Sequence, residues 1–196
     1  MDERAARERA LSYLRSVGAA ETAHLSGDLL SHLEGTERLL SDWGNHRALC
    51  LAGLCHAVYG TDGLPQALVD PGERAVLREI IGEEAEEAVY FYAACDRSVL
   101  FASMGRSRAP RYRDRLTGRE SSPADDRLRD FIELTFANEL DLAMREPRFA
   151  AENAEFFLDL FRRCRPQASQ QAYDTFRRVF GDPATDAESK SGRVVR

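Results

Sequence analysis

The sequence predicts an all-α fold, a helical bundle, on three observations. Apolar residues recur at helical spacing almost throughout, no run alternates Val, Ile or Thr as a half-buried strand would, and helix start and stop residues punctuate the chain. With 196 residues, the chain is the size of one domain with short appendages. We expect an N-terminal helix over residues 1–20, a helical domain over 21–181 and a disordered tail over 182–196, where apolar periodicity stops.

The first helix, over about residues 2–17, ends at Gly18, and a second runs from about Ser26 to Trp43, with Leu29, Leu30, Leu33, Leu39 and Leu40 on one stripe. Gly44-Asn45-His46 then turns into a third helix, about Arg47 to Tyr59, which is apolar on nearly all sides and so should be the most buried. Asp70-Pro71-Gly72-Glu73 combines a capping residue, a proline and an acid, and predicts a helix from there to about Ile81. Gly82 separates it from a helix over about Glu83 to Asp96. Ser122-Pro123-Ala124-Asp125 repeats the start pattern for a long helix to about Arg145, followed by helices over about Phe149 to Cys164 and Gln167 to Phe180.

Between Arg97 and Arg119 lies the least regular stretch, with Arg106, Arg108, Arg111, Arg113 and Arg115. An internal loop of this length is either a solvated connection whose arginines meet surface acids or a lid that brings guanidinium groups to an anionic substrate.

The charged share of 31% and the net charge of −6 belong to an ordinary globular protein, and the sign disfavours a nucleic-acid partner. No apolar run approaches a membrane span, and the charged N-terminus lacks the apolar core of a secretory signal, so we expect a cytoplasmic protein. Cys50, Cys55, Cys95 and Cys164 have no metal or disulfide spacing and read as reduced core residues. No phosphate loop, dinucleotide fingerprint or nucleophile elbow is present.

Of the four histidines, His24, His32 and His56 fall within or just before the two helices expected to be central. His56 is the sharpest case: a polar ring on an apolar helix costs free energy unless it is hydrogen-bonded, protonated beside an acid or bound to a metal. The plainer alternative is a core histidine satisfied by a backbone carbonyl.

The segments HLSGDLLSHLEGTERLLSDWG and LCLAGLCHAVYGTDG, with IIGEEAEEAVYF and FIELTFANELD further on, resemble the HD-domain superfamily and, within it, the hydrolase half of the guanosine-tetraphosphate stringent-response enzymes. They are closer still to an uncharacterised group of HD-like bacterial proteins that share H-x-x-G-T, W-G, A-G-L-x-H and Y-G-T elements. The resemblance covers about Ala23 to Arg145 and implies an HD-like helical bundle, here with two extra C-terminal helices. His32 matches the family's first metal histidine, His56 the histidine of its His-Asp dyad, and Asn138 its last aspartate. The dyad aspartate is Ala57 here, and the last aspartate is Asn138, so two of the four implied metal ligands are missing.

The resemblance implies one divalent ion, Mn, Fe or Zn, on His32, His56 and Asn138, with Glu139, Asp141 or Asp62 completing the shell. The alternative is metal-free acid-base chemistry by the histidines. Catalytic roles fall to His32, His56, Asp62 and Glu139, and substrate contacts to His24, Tyr59, Thr61, Arg97 and Asn138. The function so implied is a hydrolase-like enzyme acting on a small anionic or phosphorylated metabolite. The alternative is a catalytically inactive HD relative that binds a nucleotide or metabolite and signals to a partner. Di-iron oxidation would need more His and Asp ligands than the chain offers. A homodimer is left open, and no nucleic-acid or membrane partner is expected.

Overall fold

A computed structural model describes residues 3–25 and 27–181, so Ser26 and the tail expected over 182–196 lie outside the described residues. The fold is all-α, with helices α1 (Glu3–Ser16), α2 (Leu29–Asp42), α3 (Arg47–Cys55), α4 (Arg74–Ile81), α5 (Glu83–Ala94), α6 (Arg97–Ser103), α7 (Asp125–Arg145), α8 (Pro147–Cys164) and α9 (Gln170–Phe180). Two short antiparallel hairpins interrupt them: β1 (Ala23–His24) with β2 (Gly27–Asp28), and β3 (Tyr112–Arg113) with β4 (Glu120–Ser121). No described helix is long and apolar enough to cross a membrane.

The bundle is built around α2, which packs on both α3 and α7, while α5 and α1 close over α3. Fully buried Leu29, Leu33, Leu40, Leu49, Leu54 and Phe136 occupy the centre, and Ala6, Ala10 and Leu14 of α1 join the same core. Cys55, Cys95 and Cys164 are buried, Cys50 is half-buried, and none of the four is in a disulfide.

Local chemistry sets the element ends. The Asp28 carboxylate accepts from the Ser31 amide at 2.8 Å and caps α2, so the helix starts three residues later than expected. Asp70 accepts from the Gly72 amide at 2.7 Å instead of capping a helix; α4 begins at Arg74, four residues beyond the expected start. α3 ends at Cys55 rather than near Tyr59, because Val58 and Gly60 bond back three residues to Cys55 and Ala57 in tight turns. Gly60, at φ +68°, closes that turn in a conformation L side chains rarely adopt.

The Arg97–Arg119 stretch is not a long loop. Asp96 caps α6 through the Val99 amide at 3.2 Å, and Cys95 bridges to Asp114, which fixes the β3–β4 hairpin to the end of α5. Arg106 pairs with Asp159, Arg111 with Glu120 and Arg113 with Asp96, while Arg115 donates to the Ala93 carbonyl. Arg108 is exposed. These five arginines form no lid; the four that are engaged tie the hairpin and α6 down, while Arg97 turns inward.

At the other end of the bundle, buried Glu133 on α7 accepts from the Asn45 side chain at 2.9 Å and from both the amide and the hydroxyl of Ser169, the residue that caps α9. Trp43 donates its indole N–H to Thr175 of α9 at 3.0 Å. The last helix, α9, is thereby fixed to α7 and to the turn after α2.

Candidate functional site

His24, His32, His56, Thr61, Arg97, Asn138 and Glu139 line one cavity of about 410 Å³. They come from the β1–β2 hairpin, α2, the turn after α3, the start of α6, and α7. That volume lies within the range of about 300–1,000 Å³ usual for small-molecule sites. A larger groove of about 540 Å³ between α3, α5 and α7 carries no histidine.

Two members expected there lie elsewhere. The Tyr59 hydroxyl donates to Glu86 at 3.1 Å, in a cluster where fully buried Glu86 also receives Arg74 and Arg78. Tyr59 is thus a structural residue on the far side of its turn and not a substrate contact. Asp62 is exposed and does not line the cavity; its carboxylate accepts from the Arg97 backbone amide at 3.1 Å and positions α6.

His32 is held at both nitrogens. Its Nδ1 donates to Asp141 at 2.8 Å, and its Nε2 lies 3.0 Å from the Asn138 amide oxygen. Asp141 is in turn ion-paired with Arg145 at 2.7 Å, and Arg145 also donates to the Ser31 carbonyl at 2.8 Å. Gly35, one turn beyond His32, leaves the space this contact needs: a Cβ there would stand 1.9 Å from Asp141 Oδ1.

On the other side of Asn138, its amide nitrogen donates to Glu139 at 3.0 Å, and Glu139 receives Arg97 at 3.2 Å. Arg97 donates further to the Tyr92 hydroxyl at 2.9 Å. A continuous chain therefore runs Asp141, His32, Asn138, Glu139, Arg97, Tyr92. Burial pushes the Glu139 carboxyl above the usual carboxylate range, against the opposing pull of Arg97.

His56 donates Nδ1–H to the Gly53 carbonyl at 2.8 Å, as a core histidine would. Its Nε2 then carries the lone pair and meets no hydrogen-bond partner among the described residues. The ring stands edge-on to His32 and to Tyr92, with centroids 5.2 and 5.5 Å apart. Burial, reinforced by His32, pushes its pKa down to about 3. His24 stacks on His32 with centroids 4.5 Å apart, and burial lowers it to about 4. Both are neutral near pH 7. Two polar atoms, His24 Nδ1 and Arg97 Nε, are buried without a hydrogen-bond partner.

The donor set does not fit the expected divalent ion on His32, His56 and Asn138. His56, which donates from Nδ1, has the tautomer of a ligand imidazole, but His32 Nε2 already faces Asn138, and the carboxylates that would join them are otherwise engaged. Glu139 is ion-paired with Arg97, and Asp141 with Arg145 and His32. Asn138 offers only a neutral amide oxygen, and it faces His32 itself. His24 presents its ring face rather than a lone pair to His32. Among the described residues, no group of three His, Cys, Asp or Glu side chains is placed to hold a metal ion. The cation that balances the cavity carboxylate is a guanidinium.

Sequence reading missed Tyr92 and the role of Asp141 as the partner that orients His32. Asp141 stands three residues after Asn138, on the same face of α7, which is the one pattern that could have pointed to it. Nothing in the sequence marks Tyr92.

No curated protein and no solved structure matches the chain. A family model described as a domain of unknown function, DUF6817, matches residues 13–97, and so this chain is similar to that family over the part that carries His24, His32, His56, Thr61 and Arg97, but not over α7.

Proposed function

We propose that the protein is a hydrolase-like enzyme on a scaffold related to the HD domain, acting on a small anionic metabolite without a metal ion. The observation that carries this reading is the convergence of His32, His56, Asn138, Glu139 and Arg97 on one cavity with a buried hydrogen-bonded chain behind it.

Hydrolysis adds water across the scissile bond: the hydroxyl goes to the electrophilic carbon or phosphorus, and the proton ends on the leaving oxygen. Glu139 accepts that proton from water and returns it to the leaving group, a role suited to a carboxyl raised by burial. As Glu139 is protonated, its hold on Arg97 weakens, and the guanidinium is released to the negative charge developing on the electrophile's oxygen. The neutral His56 Nε2 accepts the second hydrogen of the attacking water and aims it. His32, fixed by Asp141, holds Asn138 against Glu139.

A second reading, ligand binding without turnover, is favoured by one observation: His56 and His24, lowered to about 3 and 4, are weak bases. Turnover by the full chain of a panel of small phosphomonoesters, phosphodiesters and carboxylic esters separates the two. Glu139→Gln should lower the rate by about a hundredfold or more, and a chelator should leave it unchanged. Activity lost to chelator and restored by Mn²⁺ would refute the metal-free mechanism. Thermal stabilisation by a panel member that is not turned over would support the binding reading.

A further inference from the structure

We propose that the cavity takes an amphiphilic monoanion, a molecule with one small charged head group and an apolar body, inserted head first. This rests on the site reading above and narrows its ligand.

The first support is a gradient of polarity opposite to that of an ordinary surface depression. The floor is polar and buried: His32 and His56 are each 2% exposed, and Asn138 and Glu139 6%. The mouth is apolar: Leu25 is 59% exposed, and Leu64 and Phe149 are half-buried beside it, with buried Leu142 forming a wall. A wholly polar ligand would leave the mouth uncovered, and a wholly apolar one would strand the floor's hydrogen-bonding groups. A head group on a hydrocarbon or aromatic body satisfies both.

The second support is charge. Arg97 is the one Lys or Arg among the residues that line the cavity, and it already serves Glu139 and the Tyr92 hydroxyl. A di- or triphosphate would bring several negative charges into a buried floor that holds one shared cation, and the desolvation cost would not be recovered. A single carboxylate needs only one guanidinium, and Arg97 supplies it at the cavity wall. The His56 Nε2 lone pair and the Thr61 hydroxyl flank the head for a ligand that also carries a hydroxyl or N–H.

Calorimetric titration of the full chain with octanoate, butyrate, octanamide, pyrophosphate and guanosine triphosphate tests the inference. Octanoate should bind at least about tenfold more tightly than butyrate, since it buries four more methylenes, and more tightly than neutral octanamide. Arg97→Gln should weaken octanoate by about tenfold or more. Leu25→Asp, at an exposed position that leaves the core intact, should weaken octanoate but not butyrate. If pyrophosphate or guanosine triphosphate binds more tightly than octanoate and is lost in Arg97→Gln, the cavity stands as an anion site and the monoanion inference falls. If octanoate binds equally well to wild type, Arg97→Gln and Leu25→Asp, it binds elsewhere, and both the inference and the site reading fall. Failure of every probe to bind overturns the ligand class, and the turnover panel alone then decides the site.

Discussion

Replacing Gly35 by alanine tests whether α2 and α7 meet as closely as the site requires. On an ordinary helix the change would stabilise by about 1 kcal/mol, because alanine is the better helix former. Here the new methyl would stand 1.9 Å from Asp141 Oδ1, 2.6 Å from its Cγ and 2.7 Å from an Arg145 nitrogen, so the carboxylate must leave its place. Its departure removes the Nδ1 partner of a histidine only 2% exposed and breaks the ion pair to Arg145. Loss of one partner from a buried charged pair costs about 3–5 kcal/mol. Subtracting the propensity gain leaves a net loss of about 2–4 kcal/mol, or a fall in Tm of about 4–16 °C for a chain this size. Differential scanning calorimetry, with urea unfolding alongside, measures it. A Gly35→Ala protein as stable as the wild type would refute the contact between Gly35 and Asp141 and the orientation of His32 built on it.

Two further outcomes follow from the site. His56 has a pKa lowered from 6.5 to about 3, so between those values the unfolded chain binds the proton and the folded chain does not, and stability rises with pH across that window. His56 alone should remove about 2 kcal/mol between pH 7 and pH 5, and His24 acts in the same direction. Glu139, raised by burial, opposes them, because its folded form holds a proton the unfolded form has released. Urea unfolding at the two pH values should show a shallower acid loss in His56→Gln, and an unchanged slope would refute a neutral buried ring. The proposed HD relationship predicts that Ala57→Asp with Asn138→Asp, which would supply the two carboxylates missing from that pattern, binds one divalent ion per chain when titrated with Mn²⁺. No uptake by the double variant would count against that relationship as a guide to the site's geometry.

The helices were legible where periodicity ran for three turns or more, as in α2, α7 and α8, because a stripe of that length encodes its own face. What escaped was decided between distant residues. α6 spans under two turns and owes its start to Asp96 and Asp62, and the β3–β4 hairpin is anchored by Cys95 pairing with Asp114. The scarcity of histidine in an apolar context was enough to single out His32 and His56, and their joint cavity agrees with it. Whether Tyr59 faced that cavity turned on where Glu86 and its two arginines gathered, which no local pattern expresses. Likewise, the seven arginines from Arg97 to Arg119 look alike in sequence; the acids that engage Arg106, Arg111 and Arg113, and the Glu139 that draws Arg97 inward, lie on other elements.

The tie at Glu133 makes α7 behave as a keyed shaft. An α-helix turns by about 100° per residue, so a one-residue deletion between Glu133 and Asn138 cannot keep both ends seated. With Glu133 locked on Asn45 and Ser169, Asn138, Glu139 and Asp141 would rotate away from His32 and Arg97 together. With the site retained, Ser169 would instead lose the carboxylate that receives it at the head of α9. Indels in this stretch should therefore be far more disruptive than side-chain substitutions at the same positions, and the far C-terminal helix takes part in setting the angular position of the cavity's proton-bearing groups without lining it.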